Sequence, residues 1–312
     1  MRPLAVFIHD CRQTREDIPL KQPSIRTLGR DIELGTRHYR DRFFDALAAT
    51  PYVRRALYRS ISRSGKLVFC RFNDHDIVVD PDDLVGRTLI EHGNFDRERT
   101  EAVARRANAL GSGRVVIEIG ANIGSQTVYF LTTGHFDSAV CLEPDPANVR
   151  MLETNLHLNR LDGRVTLLPV GAGDRSGVLH LRRDAGNSGG STLRSERVVD
   201  NVATDILVPV ITIDSLVENG TVDPDTVGLL WIDAEGFEEE IFAGCRILIE
   251  RKVPIAFEFS TAFYNTEKTG RIVDLIFAHY TDVSIVDDTG FRPVTRAEMM
   301  RLTRQVDIFC SR

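Results

Sequence analysis

Apolar residues fall along this chain in short β-branched runs, each bounded by glycine, proline or an acid, with amphipathic stretches between them. Residues 115–119, 138–142, 164–168 and 227–233 are runs of this kind. Their apolar positions are successive rather than alternate, the pattern of parallel strands covered on both faces. Residues 146–158 place Val149, Leu152 and Leu156 at helical spacing, and a Pro-Asp-Pro turn opens the stretch. Strand and helix therefore alternate, which predicts a doubly wound α/β domain. Residues 177–181 and 206–213 interrupt the series by alternating around a Gly/Ser-rich stretch at 184–195. They predict a hairpin-like excursion with a flexible tip. Ahead of the domain, residues 31–62 read as an amphipathic helix through Phe43, Phe44, Leu47, Leu57 and Ile61. Residues 66–72 and 76–79 read as a hairpin, and 84–92 as a helix. The division expected is an N-terminal helical and hairpin extension over residues 1–83 and a main domain over 84–312.

The first buried run leads into Glu118-Ile-Gly-Ala-Asn-Ile-Gly124. Gly120 lets the backbone approach a ligand closely, and Gly124 opens a helix whose first amides face the same cleft. The glycine spacing is G-x-x-x-G, whereas a nicotinamide or flavin fold would normally show G-x-G-x-x-G. A strand-turn-helix corner without a ligand would use glycine in the same way. The second run ends in Leu142-Glu-Pro-Asp145, with Glu143 about twenty residues beyond the turn, where doubly wound nucleotide folds use a carboxylate to bind ribose hydroxyls. The third runs into Pro169-Val-Gly-Ala-Gly-Asp174, where the amides of Gly171 and Ala172 would meet an adenine edge.

The fourth run ends in Ile232-Asp-Ala-Glu-Gly-Phe-Glu238. Ligands bind beyond the carboxyl ends of strands in open α/β sheets, so Asp233 and Glu235 are expected to face the cleft. Glu258, at the end of the fifth strand, is expected beside them. Glu238, Glu239 and Glu240 read as first-turn acids interacting with a helix dipole. In the excursion, Asn187, Ser191 and Thr192 offer hydrogen bonds to a hydroxylated substrate, although turn residues would look the same. His180 reads as a solvent-facing strand residue in preference to a base. Clustered carboxylates can hold a divalent ion, but no coordination set is legible, and no metal is expected.

These motifs, together with Asn148, Asn155, Gly186-Asn-Ser-Gly-Gly-Ser-Thr192 and Ile213-Asp-Ser-Leu216, resemble the FkbM family of methyltransferases over residues 85–260. The resemblance implies a seven-stranded Rossmann-like methyltransferase sheet with strands near 115, 139, 165, 228, 254, 282 and 306, the last two forming the terminal antiparallel pair. It implies S-adenosylmethionine as cofactor, held by Glu118, Gly120, Asn122, Gly124, Glu143, Pro144, Gly171, Ala172 and Asp233. It also implies O-methylation of a sugar, polyketide or other secondary metabolite, with Asp233 as the first choice of base and Glu235 and Glu258 in reserve. One departure stands out: the family usually carries Lys before the Ile-Asp pair, and here the residue is Trp231. Asp233 and Glu235 are then expected to lack a cationic neighbour, which would raise the Asp233 pKa. Two other readings are a non-catalytic module that keeps the cofactor fold and a nucleotide-dependent oxidoreductase on a similar fold, the latter disfavoured by the glycine spacing.

Composition narrows the setting. The 312 residues and 42% hydrophobic content suffice for a sizeable core. There is no signal-peptide order and no apolar run of about eighteen residues, so neither secretion nor a membrane partner is expected. The five cysteines lack C-x-x-C spacing and read as reduced thiols in a cytoplasmic protein. Net charge is −6, yet residues 1–66 hold 14 Lys/Arg against 7 Asp/Glu, leaving that segment at +7 and the remainder at −13. The first reading of the basic segment is a helix packed on the main domain or on a second subunit, which would make a homo-oligomer. A surface for an anionic substrate or carrier protein comes second. Nucleic-acid binding is disfavoured because the arginines are not interleaved with stacking aromatics. The expected partner is a small-molecule or glycosylated acceptor.

Overall fold

The computed structural model describes residues 8–9, 67–111, 113–184, 186–194, 204–287 and 289–312. The helix expected over residues 31–62 lies outside them. The chain divides into two compact units, residues 1–82 with 86–95, and residues 83–85 with 96–312. In the first, β1 (Ile8–His9) runs parallel to β2 (Val68–Arg71), and β2 pairs antiparallel with β3 (Asp76–Val79). The inward positions Cys70, Ile77 and Val79 are fully buried, as the alternation requires. Helix α1 (Leu84–His92) coincides with the stretch expected from sequence.

The second unit opens with α2 (Arg97–Ala109), β4 (Val115–Ile119), α3 (Ser125–Thr132), β5 (Ser138–Leu142), α4 (Pro146–Leu158) and β6 (Val165–Leu168). The excursion follows as β7 (Gly171–Ala172), β8 (Gly177–Arg183), β9 (Thr192–Arg194) and β10 (Thr204–Ile211). The chain returns through α5 (Ile213–Glu218), β11 (Val227–Ile232), α6 (Glu238–Ala243), α7 (Arg246–Glu250) and β12 (Ile255–Phe259). It ends with α8 (Thr266–His279), β13 (Asp282–Asp287), β14 (Gly290–Pro293), α9 (Arg296–Met299) and β15 (Val306–Ser311).

The large sheet has the order β14-β13-β15-β12-β11-β4-β5-β6. All seven expected strands are present, β12 to β6 are mutually parallel, and β15 and β13 are the antiparallel pair. The eighth strand, β14, was not expected. It is an edge hairpin partner of β13 ending in Pro293, a residue an edge strand tolerates because its outer side needs no donor. The successive apolar residues of β4 and β11 feed two cores. Ile117, Ile119, Leu230 and Ile232 pack with Ile241, Phe242 and Leu248 on one face. Val116 and Leu229 pack with Val103, Ala107 and Val128 on the other. Helix α2 escaped the sequence reading because its buried stripe, Thr100, Val103, Ala104 and Ala107, is built of small residues among arginines and gives a weak apolar signal.

The excursion is a small sheet of order β7-β10-β8-β9. Its hairpin pairs β8 with β10, Leu181 opposite Ile206 and His180 opposite the exposed Leu207. The described cysteines, Cys70, Cys141, Cys245 and Cys310, are all buried free thiols. Among the described residues no helix is long and apolar enough to cross a membrane.

Asp214, from the Ile-Asp-Ser-Leu motif, has a structural assignment. Its carboxylate accepts from the Arg246 amide at 3.1 Å and the Ile247 amide at 2.9 Å. It thereby caps α7, whose own N-cap residue, Cys245, makes no side-chain cap bond. With Asp214 only 8% exposed, Asp214→Ala should cost about 1–3 kcal/mol of stability. Asp214→Asn, which keeps one acceptor oxygen, should cost less. Urea unfolding midpoints check both.

Candidate active site

The chain winds from β4 outward to β5 and β6, then returns to add β11 and β12 on the other side of β4. The loops after β4 and β11 therefore leave the sheet side by side at the switch point, where such sheets bind ligands. Gly120, at φ +82°, packs so closely there that an added Cβ would lie 1.9 Å from the Asp233 carbonyl oxygen. The Asp233 amide donates to the Ile119 carbonyl at 3.0 Å. Two residues on, Asn122 also has a left-handed backbone, φ 50°, a conformation costly for a side-chain-bearing residue unless its surroundings enforce it.

Glu143 is part of that enforcement. One carboxylate oxygen accepts from the Asn122 amide at 2.8 Å. The other accepts from the Asp145 amide at 2.8 Å and from Asn148 Nδ2 at 3.4 Å. Glu143 is 4% exposed, and burial pushes its pKa up to about 7 against the pull of the two amides. Pro144 carries the chain to Asp145, which caps α4 through the Ala147 amide and meets Arg183 Nε at 2.6 Å. Gly124 opens α3 against Leu152. Gly171 and Ala172 are buried in β7 and paired with Val210 and Ile211.

Glu118 lies on the α3 side of the sheet, 1% exposed, and accepts from Thr127 Oγ1 at 2.5 Å. Burial pushes its carboxyl up to about 8. Trp231 is its register partner on β11 and packs edge-on against Phe130 at 5.4 Å. The cation expected from the family pattern at residue 231 would therefore stand in register with Glu118.

Asp233, Glu235 and Glu258 do converge. Each has a carboxylate oxygen within 4.8 Å of the others, a spacing that accommodates shared protons or a hard cation with all-oxygen ligands. The Asp233 pKa is raised, in the direction expected. The causes are burial first, then the charges of Glu258, Asp307, Glu238 and Asp96. Glu235 is pushed up to about 8 by burial and by Asp233, and Glu258 is raised by burial and by Glu235 and Asp307. Glu258 also accepts a hydrogen bond from Gln305.

Glu235 sits at φ 47° in the turn after β11. Thr192 Oγ1 donates to its carbonyl at 2.8 Å, and Lys268 Nζ donates to the next carbonyl, of Gly236, at 2.9 Å. The three acids read as first-turn residues do open α6, and each also has a specific mate. Glu238 is fully buried, bound by Tyr264 Oη at 2.5 Å and the Gly236 amide at 3.2 Å. Glu239 pairs with Arg271, and Glu240 with Lys268 at 2.7 Å.

The tip of the excursion reaches both turns. Ser188 Oγ donates to Asn122 Oδ1 at 3.1 Å, and the Ser188 amide to Asp83 at 2.5 Å. Thr192 holds Glu235 as described. Ser191 Oγ is buried without a hydrogen-bond partner among the described residues, and the Asn187 carbonyl closes a turn by accepting from the Gly190 amide at 2.9 Å. Of the excursion residues picked from sequence, Thr192 contacts the acid turn. Ser188, not singled out, contacts the glycine turn, and its signal was its place in the same Gly/Ser run. Tyr264, Lys268 and Gln305 were also missed, because side chains that brace a site from a later helix or strand leave no local pattern.

A family model described as the methyltransferase FkbM domain matches residues 118–292. No curated protein matches the chain. Among solved structures, an FkbM methyltransferase from Methylobacillus flagellatus KT aligns at 16% identity and TM-score 0.41, over 72% of this chain and 60% of its own length. This chain thus spans about three fifths of that protein's length. An O-methyltransferase from Bacillus cereus in complex with SAH aligns at 14% identity and TM-score 0.38, over 71% and 84%. A precorrin-6y C5,15-methyltransferase from Geobacter metallireducens GS-15 aligns at 16% and 0.37, over 68% and 86%.

The burial of Glu118 has a measurable consequence. Its folded pKa of about 8 lies above its ordinary 4.5, so its stabilising contribution is complete below about pH 4.5 and is lost as pH rises through about 8. Glu118→Gln keeps an acceptor for Thr127 and removes the titration. The Tm of this variant relative to wild type should therefore improve steadily between pH 5 and pH 8.5, which a pH series of thermal melts would show.

Proposed function

Since the chain belongs to the FkbM methyltransferase family, we propose that it transfers a methyl group from S-adenosylmethionine to a hydroxyl of a sugar, polyketide or other secondary metabolite. The observation that carries the reading is the convergence of Asp233, Glu235 and Glu258 directly across the switch point from the turn that Glu143 organises. The residues present fit the cofactor. Gly120 lets the two strand-end turns lie against each other with no side chain between them, an added Cβ meeting the Asp233 carbonyl oxygen at 1.9 Å. Glu143 is a buried carboxylate already oriented by backbone amides, with a lone pair left on the oxygen bound to Asn122 for a ribose hydroxyl. Asn122, Gly124 and Pro144 shape the walls. Glu118 and the Gly171–Ala172 corner complete the proposed set, Glu118 acting on the methionine end through the glycine turn.

When bound, the cofactor supplies a methyl group already activated by its sulfonium charge. The chain's own residues then have two tasks. They must align the acceptor oxygen, for which Asn187, Ser191 and Thr192 are placed on the tip that spans both turns. They must also take the hydroxyl proton, a contribution of about 10² to 10⁴ in rate. Asp233 is the proposed base, with Glu235 and Glu258 sharing its proton. Because burial, and after it mutual repulsion, raises all three pKa values, the cluster becomes an effective proton acceptor only as pH rises, and it titrates as a unit. The same spacing supports a second reading in which a divalent cation binds the acceptor oxygen. Dialysis against EDTA separates the two. Undiminished turnover fits proton sharing, and loss restored by Mg²⁺ fits the cation.

Glu143→Ala should weaken S-adenosylmethionine binding by about 1.5–3 kcal/mol with the fold retained, as read by calorimetry. Unchanged affinity would remove Glu143 from the site. Asp233→Asn should retain cofactor binding and lose about 10² or more in turnover, measured by transfer from isotopically labelled cofactor. With one negative charge gone, the pKa values of Glu235 and Glu258 fall, so any residual activity should show its acidic limb at lower pH. Normal turnover with an unchanged profile would make Asp233 structural. Replacing Asn187, Ser191 and Thr192 together by Ala should raise the acceptor KM more than the cofactor Kd, and equal losses would place the tip in the cofactor pocket.

A further inference from the structure

One aromatic ring near the acid cluster has no role in the reaction as described. Phe263 is 46% exposed, and it is the only aromatic among the large hydrophobic side chains exposed in the described residues. A lone exposed apolar residue is ordinary, but this one is both fixed and placed. Its Cβ lies against Gly236, where an added Cβ would stand 2.8 Å away, and Gly236 follows Glu235 directly. It belongs to the loop after β12, the strand that carries Glu258, and its amide donates to the Ser260 carbonyl at 3.1 Å. Its neighbour Tyr264 is buried and bonded to Glu238 at 2.5 Å, and Lys268 ties the Gly236 carbonyl from α8 at 2.9 Å. The ring therefore stands beside the cluster on backbone held from two sides.

The polar side of the same cleft limits what can lie on that ring. Three carboxyl groups converge within 4.8 Å, and two buried polar atoms in the site have no partner among the described residues, Glu258 Oε2 and Ser191 Oγ. A ligand that brings hydroxyl groups to them can satisfy them, and one of hydrocarbon alone cannot. An extended aliphatic acceptor is therefore disfavoured. A planar phenol would suit the ring but offers few hydroxyls. An apolar face with several hydroxyls around its rim is the chemistry of a pyranose. Aromatic surface beneath and carboxyl groups at the edge match both of its aspects.

We propose that Phe263 is the acceptor platform of this enzyme: the apolar face of a pyranose ring rests on the phenyl ring while its rim hydroxyls reach the Asp233–Glu235–Glu258 cluster. This deepens, and rests on, the methyl-transfer reading. The bond changes are those of that reaction. The acceptor oxygen bonds to the methyl carbon, the sulfur–carbon bond breaks with its electron pair left on sulfur, and the hydroxyl proton passes to a carboxylate. Phe263 touches only the acceptor's carbon face and takes no part in bond making.

The test uses the full chain, methyl-labelled S-adenosylmethionine, and a panel of methyl hexopyranosides and methyl 6-deoxyhexopyranosides set against linear polyols and catechol. Wild type should methylate members of the pyranoside set in preference to the others. Phe263→Ala should raise KM for the best pyranoside by about tenfold, from lost stacking and burial, while kcat and the calorimetric cofactor Kd stay essentially unchanged. Phe263→Tyr should behave as wild type, and Phe263→Leu should not recover the loss. If Phe263→Ala proves unfolded by circular dichroism, the Tyr and Leu variants decide: equal KM values in the two overturn the proposal. An unchanged KM in folded Phe263→Ala also overturns it. So does a wild-type protein that binds the cofactor and neither binds nor methylates any pyranoside. Failure of wild type to bind the cofactor at all would instead overturn the methyl-transfer reading beneath it, and calorimetry distinguishes that result from the others.

Discussion

Everything at the cleft depends on one close approach, the Gly120 backbone against the Asp233 carbonyl. The two strands on either side of the switch point can end level, and their loops can diverge from a common line, only because no side chain stands between them. Asn122 follows from one loop, and Asp233 and Glu235 from the other. A substitution at Gly120 would not simply crowd a pocket, because it would force apart the two halves whose spacing defines that pocket. The positive φ at this glycine adds backbone strain to the clash for any replacement.

Around this contact the molecule concentrates buried acids where water is scarce. Glu118, Glu143, Asp233, Glu235 and Glu258 all have pKa values raised chiefly by burial. The surrounding bonds keep them in place without neutralising them. Backbone amides hold Glu143, a hydroxyl holds Glu118, and cations such as Lys268 and Arg271 are spent on the outer acids Glu240 and Glu239. Keeping the cations outside leaves the inner carboxyls with pKa values above the usual carboxylate range.

Much of this was legible in the chain itself. Successive apolar runs announced the parallel strands because a strand covered on both faces has no room for polar alternation. The acids at strand ends announced the cleft because topology sends strand ends there. Helix α2 was not legible, since a stripe of Thr and Ala among arginines does not resemble an apolar face. The pairing of Glu238 with Tyr264 was not legible either: 26 residues separate them, and only the fold places them together. Glu238 read only as a first-turn acid, and the fold adds that it is a buried strut beneath the Glu235 turn. The Trp231 substitution was legible as a departure from the family pattern, but its neighbour was not. The alternation of β11 turns residue 231 toward Glu118 and Phe130, away from the position first inferred from the adjacent Asp233.

That placement has an optical consequence. The chain has a single tryptophan, and its indole rests edge-on against Phe130 in the strand register of a carboxyl group that changes charge near pH 8. Indole emission is sensitive to nearby charge, and neutral carboxyl groups quench it more strongly than carboxylates do. The protein therefore carries its own fluorophore next to the glycine turn, with no second tryptophan to blur the signal. Its intrinsic emission can report, without label or substrate, when Glu118 gains or loses a proton.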